Sequence, residues 1–194
     1  MTKKQKIILA SKSSRRKQLL SRILDDFKII NSNLDESKIK IDDPAKYCRN
    51  LSYLKAKTVS KNFKNDIIIG ADTIVFLNNT ILGKPKDYNE AFNMLQRLSG
   101  QTHTVFTGVT ILSINNKVNI NFSEKTNVTF YDISDNQIDW YIKNNNPYDK
   151  AGSYGIQDGS QLFVKTINGN YENVIGLPIS KIYRYFIELK VINL

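Results

Sequence analysis

The chain has 194 residues, 41% of them apolar and 24% charged, with 9 Gly and 4 Pro, a composition that excludes a disordered chain, a collagen and a low-complexity scaffold. One Cys and one His exclude a disulfide framework, a CxxC metal site and His-rich zinc chemistry. The formal charge of +10 comes from 22 Lys and only 6 Arg, and the lysines are scattered, which points to a solvated surface rather than a nucleic-acid-binding stripe.

Near the start, Lys3, Lys4 and Lys6 precede only four apolar residues, Ile7 to Ala10. A secretory core needs ~7–15 apolar residues and a membrane span ~20, and no run in the chain approaches the latter. The expectation is a cytoplasmic protein without a membrane partner. Ile7–Ala10 reads as a short buried strand, followed by a polar turn and a helix with Leu19, Leu20, Ile23 and Leu24 at helical spacing. Asp43-Pro44 supplies an N-cap and a first-turn proline, and Tyr47, Leu51, Leu54 and Thr58 mark one helical face behind it.

A second strand runs from Ile67 through Gly70-Ala71-Asp72-Thr73 to Phe76, with Asn78-Asn79 as a hairpin turn. A helix from Asn89 to Leu98 turns Ala91, Met94, Leu95 and Leu98 inward, with Gly100 at C′. His103, Val105, Thr107, Val109 and Ile111 alternate as a strand, and Asn115-Asn116 returns it into one ending at Val128 and Phe130. Ser134-Asp135-Asn136-Gln137 is a capping box for a helix burying Ile138, Tyr141 and Ile142. Residues 147–160 lack periodicity, two strands follow at 161–167 and 170–175, and a last helix begins at Pro178. Tyr, Phe and Trp140 fall at core spacings. Hairpins among alternating strands and helices predict an α/β unit with a mixed sheet, a single domain over residues 1–194.

Four segments are candidates for chemistry. Ser11-Lys12-Ser13-Ser14-Arg15-Arg16 joins a strand to a helix, where orphan backbone N–H groups and paired arginines suit an anion. A plain Ser N-cap with exposed arginines is the alternative. Asp72 is a carboxylate on a strongly apolar strand, which costs desolvation unless it is paired, hydrogen-bonded or metal-bound. The alternative is a strand-end acid bonding nearby amides. Lys55 flanks an apolar helical face and either reaches inward or snorkels to water. Lys84, before Pro85, and Lys150 are open between a site and an ordinary loop. The loop from Tyr148 to Gln157 carries Gln157, whose amide both donates and accepts, as reading a base edge requires. His103 is either a base or, the favoured reading, a strand-edge histidine bonded to backbone.

Together these segments resemble the Maf family of nucleotide pyrophosphatases over nearly the whole chain. The markers are Leu9-Ala10-Ser11-x-Ser13-x-Arg15-Arg16, Asp35-Glu36, Ala71-Asp72-Thr73, Gly83-Lys84-Pro85 and Leu98-Ser99-Gly100-Gln101-Thr102-His103. They continue with Glu124-x-Thr126-x-Val128-x-Phe130, Asp149-Lys150-Ala151-Gly152-x-Tyr154-Gly155-Ile156-Gln157 and Gly176-Leu177-Pro178. Two positions depart from the family pattern: Ser14 replaces a usual Pro, and Asn146 replaces the acidic residue before Pro147.

The resemblance implies a two-lobed α/β fold with a central mixed sheet and a cleft, similar to inosine-triphosphate pyrophosphatases. It implies hydrolysis of a nucleoside triphosphate to the monophosphate and pyrophosphate with a divalent cation, Mg²⁺ or Mn²⁺. Arg15, Thr73 and Gln157 match the branch acting on dTTP and UTP rather than the one acting on 7-methyl-GTP. Ser11, Ser13, Arg15, Arg16, Lys55 and Lys84 are then expected on the phosphates. Asp72 is expected as catalytic base, as metal ligand or as both, with Glu36 helping to hold the metal. A homodimer fits the resemblance. The rival readings are a nucleotide-binding regulator of cell division that senses without hydrolysing, and the same reaction on another base such as 7-methyl-GTP.

Overall fold

A computed structural model describes residues 5–35 and 43–192. The elements run β1 (Ile7–Leu9), α1 (Ser14–Leu20), β2 (Lys28–Ile29), α2 (Pro44–Ser60), β3 (Ile67–Leu77), β4 (Thr80–Leu82) and α3 (Tyr88–Leu98). They continue with β5 (Thr102–Ser113), β6 (Val118–Phe130), α4 (Asp135–Asn144), β7 (Val164–Asn168), α5 (Tyr171–Ile175) and α6 (Ile179–Glu188). The chain forms two compact units, one from Met1–Asp72, Thr107–Glu124 and Gly176–Leu194, the other from Thr73–Phe106 and Lys125–Ile175.

In the first unit β1 pairs in parallel with β2 and β3, Leu9 standing opposite Ile29 and Ile69. The strand order is β2-β1-β3-β5-β6. Parallel strands covered on both faces need near-continuous apolar runs, which Ile7–Ile8 and Ile67–Ile69 supply. The core contains Ile8, Ala10, Ala56, Val59, Ile68 and Leu112, with Ile30 and Phe63 packed against it. Each fully buried aliphatic side chain here contributes roughly 1.5–3 kcal/mol relative to exposure. Asp43 caps α2 as expected, accepting the Lys46 N–H at 2.8 Å, with Pro44 in the first turn.

Two helical expectations in this unit are corrected. The first helix stops at Leu20, where the Ser21 N–H bonds Lys17 O at 2.9 Å, so Ile23 and Leu24 lie beyond it and are only half-buried. The buried face of α2 is Cys48, Leu51, Ser52, Ala56, Val59 and Ser60, whereas Tyr47, Leu54 and Thr58 are half-buried. The helix turns its small residues inward because glycines face it. A Cβ on Gly70 would lie 2.1 Å from Ser52 O, and one on Gly108 2.2 Å from Cys48 O. Backbone-to-backbone approach of this kind leaves no space for a larger side chain on either partner.

In the second unit β4 returns antiparallel against the end of β3, with Val75 opposite Leu82. The turn uses Asn78 and Asn79 at φ 47° and 58°, the left-handed pair of a tight hairpin. Asp87 caps α3 by accepting the Glu90 N–H at 2.8 Å, and Gly100 follows it at φ 66°. At the start of α4, Gln137 Oε1 accepts the Ser134 N–H at 2.9 Å. β7 pairs antiparallel with β6 through Val128–Ile167 and Thr129–Thr166, with an irregularity after Thr129.

The two strands expected at 161–167 and 170–175 become one strand, β7, between two helical turns. Asp158 Oδ1 accepts the Ser160 N–H at 3.2 Å and opens a 3₁₀ turn over Gly159–Phe163. Asn170 Oδ1 accepts the Asn173 N–H at 2.7 Å and opens α5. Short polar side chains thus divert the backbone from the ladder at both places. Aromatic spacing also misleads. Phe130, Tyr141, Tyr154 and Phe163 form the core through edge contacts with centroids 4.9–6.2 Å apart, but Trp140 is 45% exposed.

Candidate active site

Within the first unit, the Ala10 N–H donates to Ile69 O at 2.8 Å, just past the end of β1. Ser11 begins one residue beyond that bond, and Asp72 stands three residues beyond it on the neighbouring strand. Positions past the carboxyl ends of parallel strands are where α/β sheets place ligands, and Ser11 lies past the end of β1.

The Ser-Arg segment folds onto itself. Ser13 is the N-cap of α1 and accepts the Arg16 N–H at 3.4 Å. Ser11 Oγ accepts the Ser13 N–H at 3.2 Å and an N–H of the Arg16 guanidinium at 3.2 Å. Arg16 Nε donates to Gly176 O at 2.8 Å. Gly176 adopts φ 123°, a conformation open to glycine, and so presents that carbonyl. Two bonds from a rigid planar fork fix its orientation. Arg15 and Arg16 are half-buried rather than the exposed pair of the plain N-cap alternative. Because α1 has only seven residues, the guanidinium groups outweigh the helix end as sources of positive charge.

Asp72 is the sixth residue of the eleven-residue β3, so it is not a strand-end acid. Its Oδ1 lies 2.6 Å from Lys55 Nζ, and the two side chains are 10% and 11% exposed. Lys55 therefore reaches inward. Its reach is set by the seating of α2: Ser52 and Ala56 lie one turn apart against Gly70, and Ser52 Oγ bonds Thr110 Oγ1 at 2.9 Å. These small residues were not read as part of the site. Their signal in the sequence was a glycine inside an isoleucine run facing Ser and Ala at helical spacing.

Cys48 is fully buried on the same face of α2. Burial, and then the nearby charge of Asp72, push its thiol up to about 12. It is a packed side chain rather than a nucleophile.

The resemblance also named Glu36 as a metal ligand, and Glu36 lies outside the described residues. Among the described residues no group of three or more His, Cys, Asp or Glu is placed to hold a metal. Mg²⁺-type ions commonly take one or two carboxylates and complete their shell with substrate phosphate and water, a role that Asp72 fits.

Within the second unit, the Gly152 N–H donates to Gly83 O at 2.9 Å, tying the Gly83-Lys84-Pro85 segment to the loop that carries Gln157. Lys84 and Gln157 are exposed and Thr73 is half-buried. Lys150 is committed to structure: its ammonium bonds Asn146 O and pairs with Asp149 at 3.4 Å and Asp158 at 3.3 Å.

His103 is not a strand-edge residue. It is 1% exposed, and its Nε2 shares a 2.7 Å hydrogen bond with the Tyr154 hydroxyl. Loss of hydration on burial lowers its pKa to about 4.

The sequence profile of the family described as Maf-like protein matches residues 6–189. The chain is 48% identical over 188 residues to a protein named dTTP/UTP pyrophosphatase from Clostridium novyi (strain NT), covering 96% of this chain and 98% of that one. It is 51% identical over 178 residues to one of the same name from Thermosipho africanus (strain TCF52B), covering 92% and 90%. The structure of the Ham1 protein of Staphylococcus aureus matches with a TM-score of 0.58 at 12% identity, covering 95% of this chain and 100% of that one. That likeness shows a shared α/β fold. With a profile match over nearly its full length and relatives at about half identity, the chain belongs to the Maf-like protein family.

Proposed function

We propose that this protein is a nucleoside triphosphate pyrophosphatase, a hydrolase acting on acid anhydrides, that converts dTTP and UTP to the monophosphate and pyrophosphate. The observation that carries the reading is the buried Asp72 carboxylate held by Lys55, in a chain whose relatives bear that name. A buried acid paired with a lysine suits proton transfer next to a polyanion.

In the proposed reaction, Asp72 orients a water molecule and takes its proton as the water oxygen bonds to the α-phosphorus. The bond from that phosphorus to the bridging oxygen breaks, and pyrophosphate leaves. Arg15, Arg16 and Lys55, with the Ser11 and Ser13 hydroxyls, counter the charge of the phosphates in the first unit. Lys84 is proposed as a further phosphate-binding cation. A divalent cation, Mg²⁺ or Mn²⁺, held by Asp72, by Glu36 and by the substrate's own oxygens, would acidify bound water and neutralise phosphate charge. Gln157, Thr73 and Arg15 are proposed to select the pyrimidine base. The homodimer rests on the family likeness and the cytoplasmic location on the expectation from the sequence; among the described residues no helix is long and apolar enough to cross a membrane.

The test is pyrophosphate release from a panel of triphosphates with Mg²⁺ or Mn²⁺. Release from dTTP and UTP is expected, and Asp72→Asn should lower kcat by about 10²–10⁴-fold while the protein stays folded. Release confined to 7-methyl-GTP would overturn the base assignment. Tight nucleotide binding without turnover would favour a sensor.

A further inference from the structure

The loop that carries Gln157 is short of regular structure, yet its backbone is closely fixed. The Asp158 N–H donates to Gly155 O at 3.0 Å, so Gly155-Ile156-Gln157-Asp158 is a four-residue turn with Gln157 third. Ile156 is buried and points the turn into the core, while Gln157 is exposed between buried and half-buried neighbours.

Both ends of the turn hang on one pair of side chains. The Gly155 N–H donates to Tyr141 Oη at 3.1 Å, and the Tyr141 hydroxyl donates to Asp158 Oδ1 at 2.9 Å. Asp158 Oδ2 faces Lys150 Nζ at 3.3 Å. Ser160, capped by Asp158 Oδ1, sends its own hydroxyl back to Gly155 O at 2.7 Å. A Cβ on Gly155 would come within 2.8 Å of Lys150 and Asp158 atoms, so the lysine stem and the carboxylate lie directly on the turn. Burial and the neighbouring Asp158 charge push the Tyr141 phenol well above its ordinary pKa, which keeps it a hydrogen-bond donor.

We propose that Asp158 is the positioning residue of base selection: through Tyr141, Lys150 and Ser160 it fixes the turn that aims Gln157. The inference rests on the reading of Gln157 given above. An amide distinguishes bases only if its donor and acceptor are held in a set direction, because a free rotor satisfies any base edge. Among the residues of the turn, Asp158 anchors it by three contacts from its carboxylate, to Tyr141, Ser160 and Lys150.

The test measures kcat and KM of wild type, Asp158→Asn, Tyr141→Phe and Gln157→Ala with dTTP, UTP, dCTP and GTP. Asp158→Asn should raise KM for dTTP and UTP about tenfold, lower kcat less than threefold, and cut the preference for dTTP over dCTP and GTP about tenfold. Tyr141→Phe, which removes one hydroxyl and keeps the ring, should shift the same ratio in the same direction. Adding Asp158→Asn to Gln157→Ala should erode the preference no further. A merely structural role would lower Tm and scale all four substrates together, leaving the ratio unmoved, and that result overturns the inference. A wild type without preference for dTTP and UTP overturns the underlying reading instead.

Discussion

Lys55 Nζ lies 2.6 Å from Asp72 Oδ1, with each side chain about nine-tenths withdrawn from solvent. Two opposite charges in such a place compensate one another, and removing one withdraws that compensation where hydration cannot replace it. Breaking a buried pair costs about 3–5 kcal/mol, whereas replacing both members is often close to neutral. Lys55→Met should therefore lose about that much stability in urea denaturation. The double variant Lys55→Met/Asp72→Asn should recover roughly half of it. Simple addition of the two single losses would show that the pair is not coupled.

The pair depends on a contact that contains neither residue. Gly70 lets the α2 backbone approach β3 until Ser52 O would be 2.1 Å from an added Cβ and Ala56 N 2.9 Å. Backbone atoms cannot rotate aside, so Gly70→Ala must displace the helix that carries Lys55. Overpacking typically costs about 1–3 kcal/mol. The variant should lose that stability, and its kcat should fall more than tenfold at a temperature where it remains folded. Gly83→Ala is the stability control, since a Cβ there meets nothing within 4 Å. Equal Tm values for the two variants would refute the account.

What was legible in the sequence was local. The caps at Asp43 and Ser134 and the turn at Asn78-Asn79 depend on bonds between residues two to four apart, and they stand where expected. The apolar run of β3 identified Asp72 as anomalous because the cost of burying a carboxylate needs no knowledge of the fold. Its partner was not legible. Lys55 is seventeen positions away, and its inward reach follows from Gly70 and Gly108 accepting a helix, which hydrophobic periodicity does not register. Periodicity also weighs Leu54 above Ser52, so the α2 face came out rotated. At Asp158 and Asn170 a single polar side chain redirected a strand-like stretch into helical turns.

Cys48 provides a probe of the α2 seat. With no exposed surface and its thiol pushed up to about 12 by burial and by Asp72, its thiolate fraction near pH 8 is on the order of 10⁻⁴. Native protein should be inert to Ellman's reagent over hours, and one thiol per chain should react at once in denaturant. Gly108→Ala, which presses on the Cys48 carbonyl, should raise the native labelling rate at least tenfold. Rapid labelling of the unaltered protein would show that α2 opens without global unfolding.

His103 ties stability to mild acid. Its pKa is about 4 in the fold, against an ordinary 6.5, because burial removes the hydration of the imidazolium. Its Nε2 is bonded to Tyr154, and its Nδ1 has no hydrogen-bond partner among the described residues. The unfolded chain takes up a proton below pH 6.5 that the folded chain refuses until about pH 4. Stability therefore falls as pH drops through that window, by roughly 2 kcal/mol at pH 5 and roughly 3 kcal/mol at pH 4. Tyr154 does not titrate there, since burial raises its phenol far above the ordinary value. Urea midpoints between pH 7 and pH 5 should decline more steeply for wild type than for His103→Gln, whose side chain retains a hydrogen-bonding group near Nε2. The difference in slope, rather than the lower stability of the variant, is the informative quantity, because carboxylates common to both proteins cancel. Parallel slopes would mean that the imidazole takes up its proton in the fold as readily as in water.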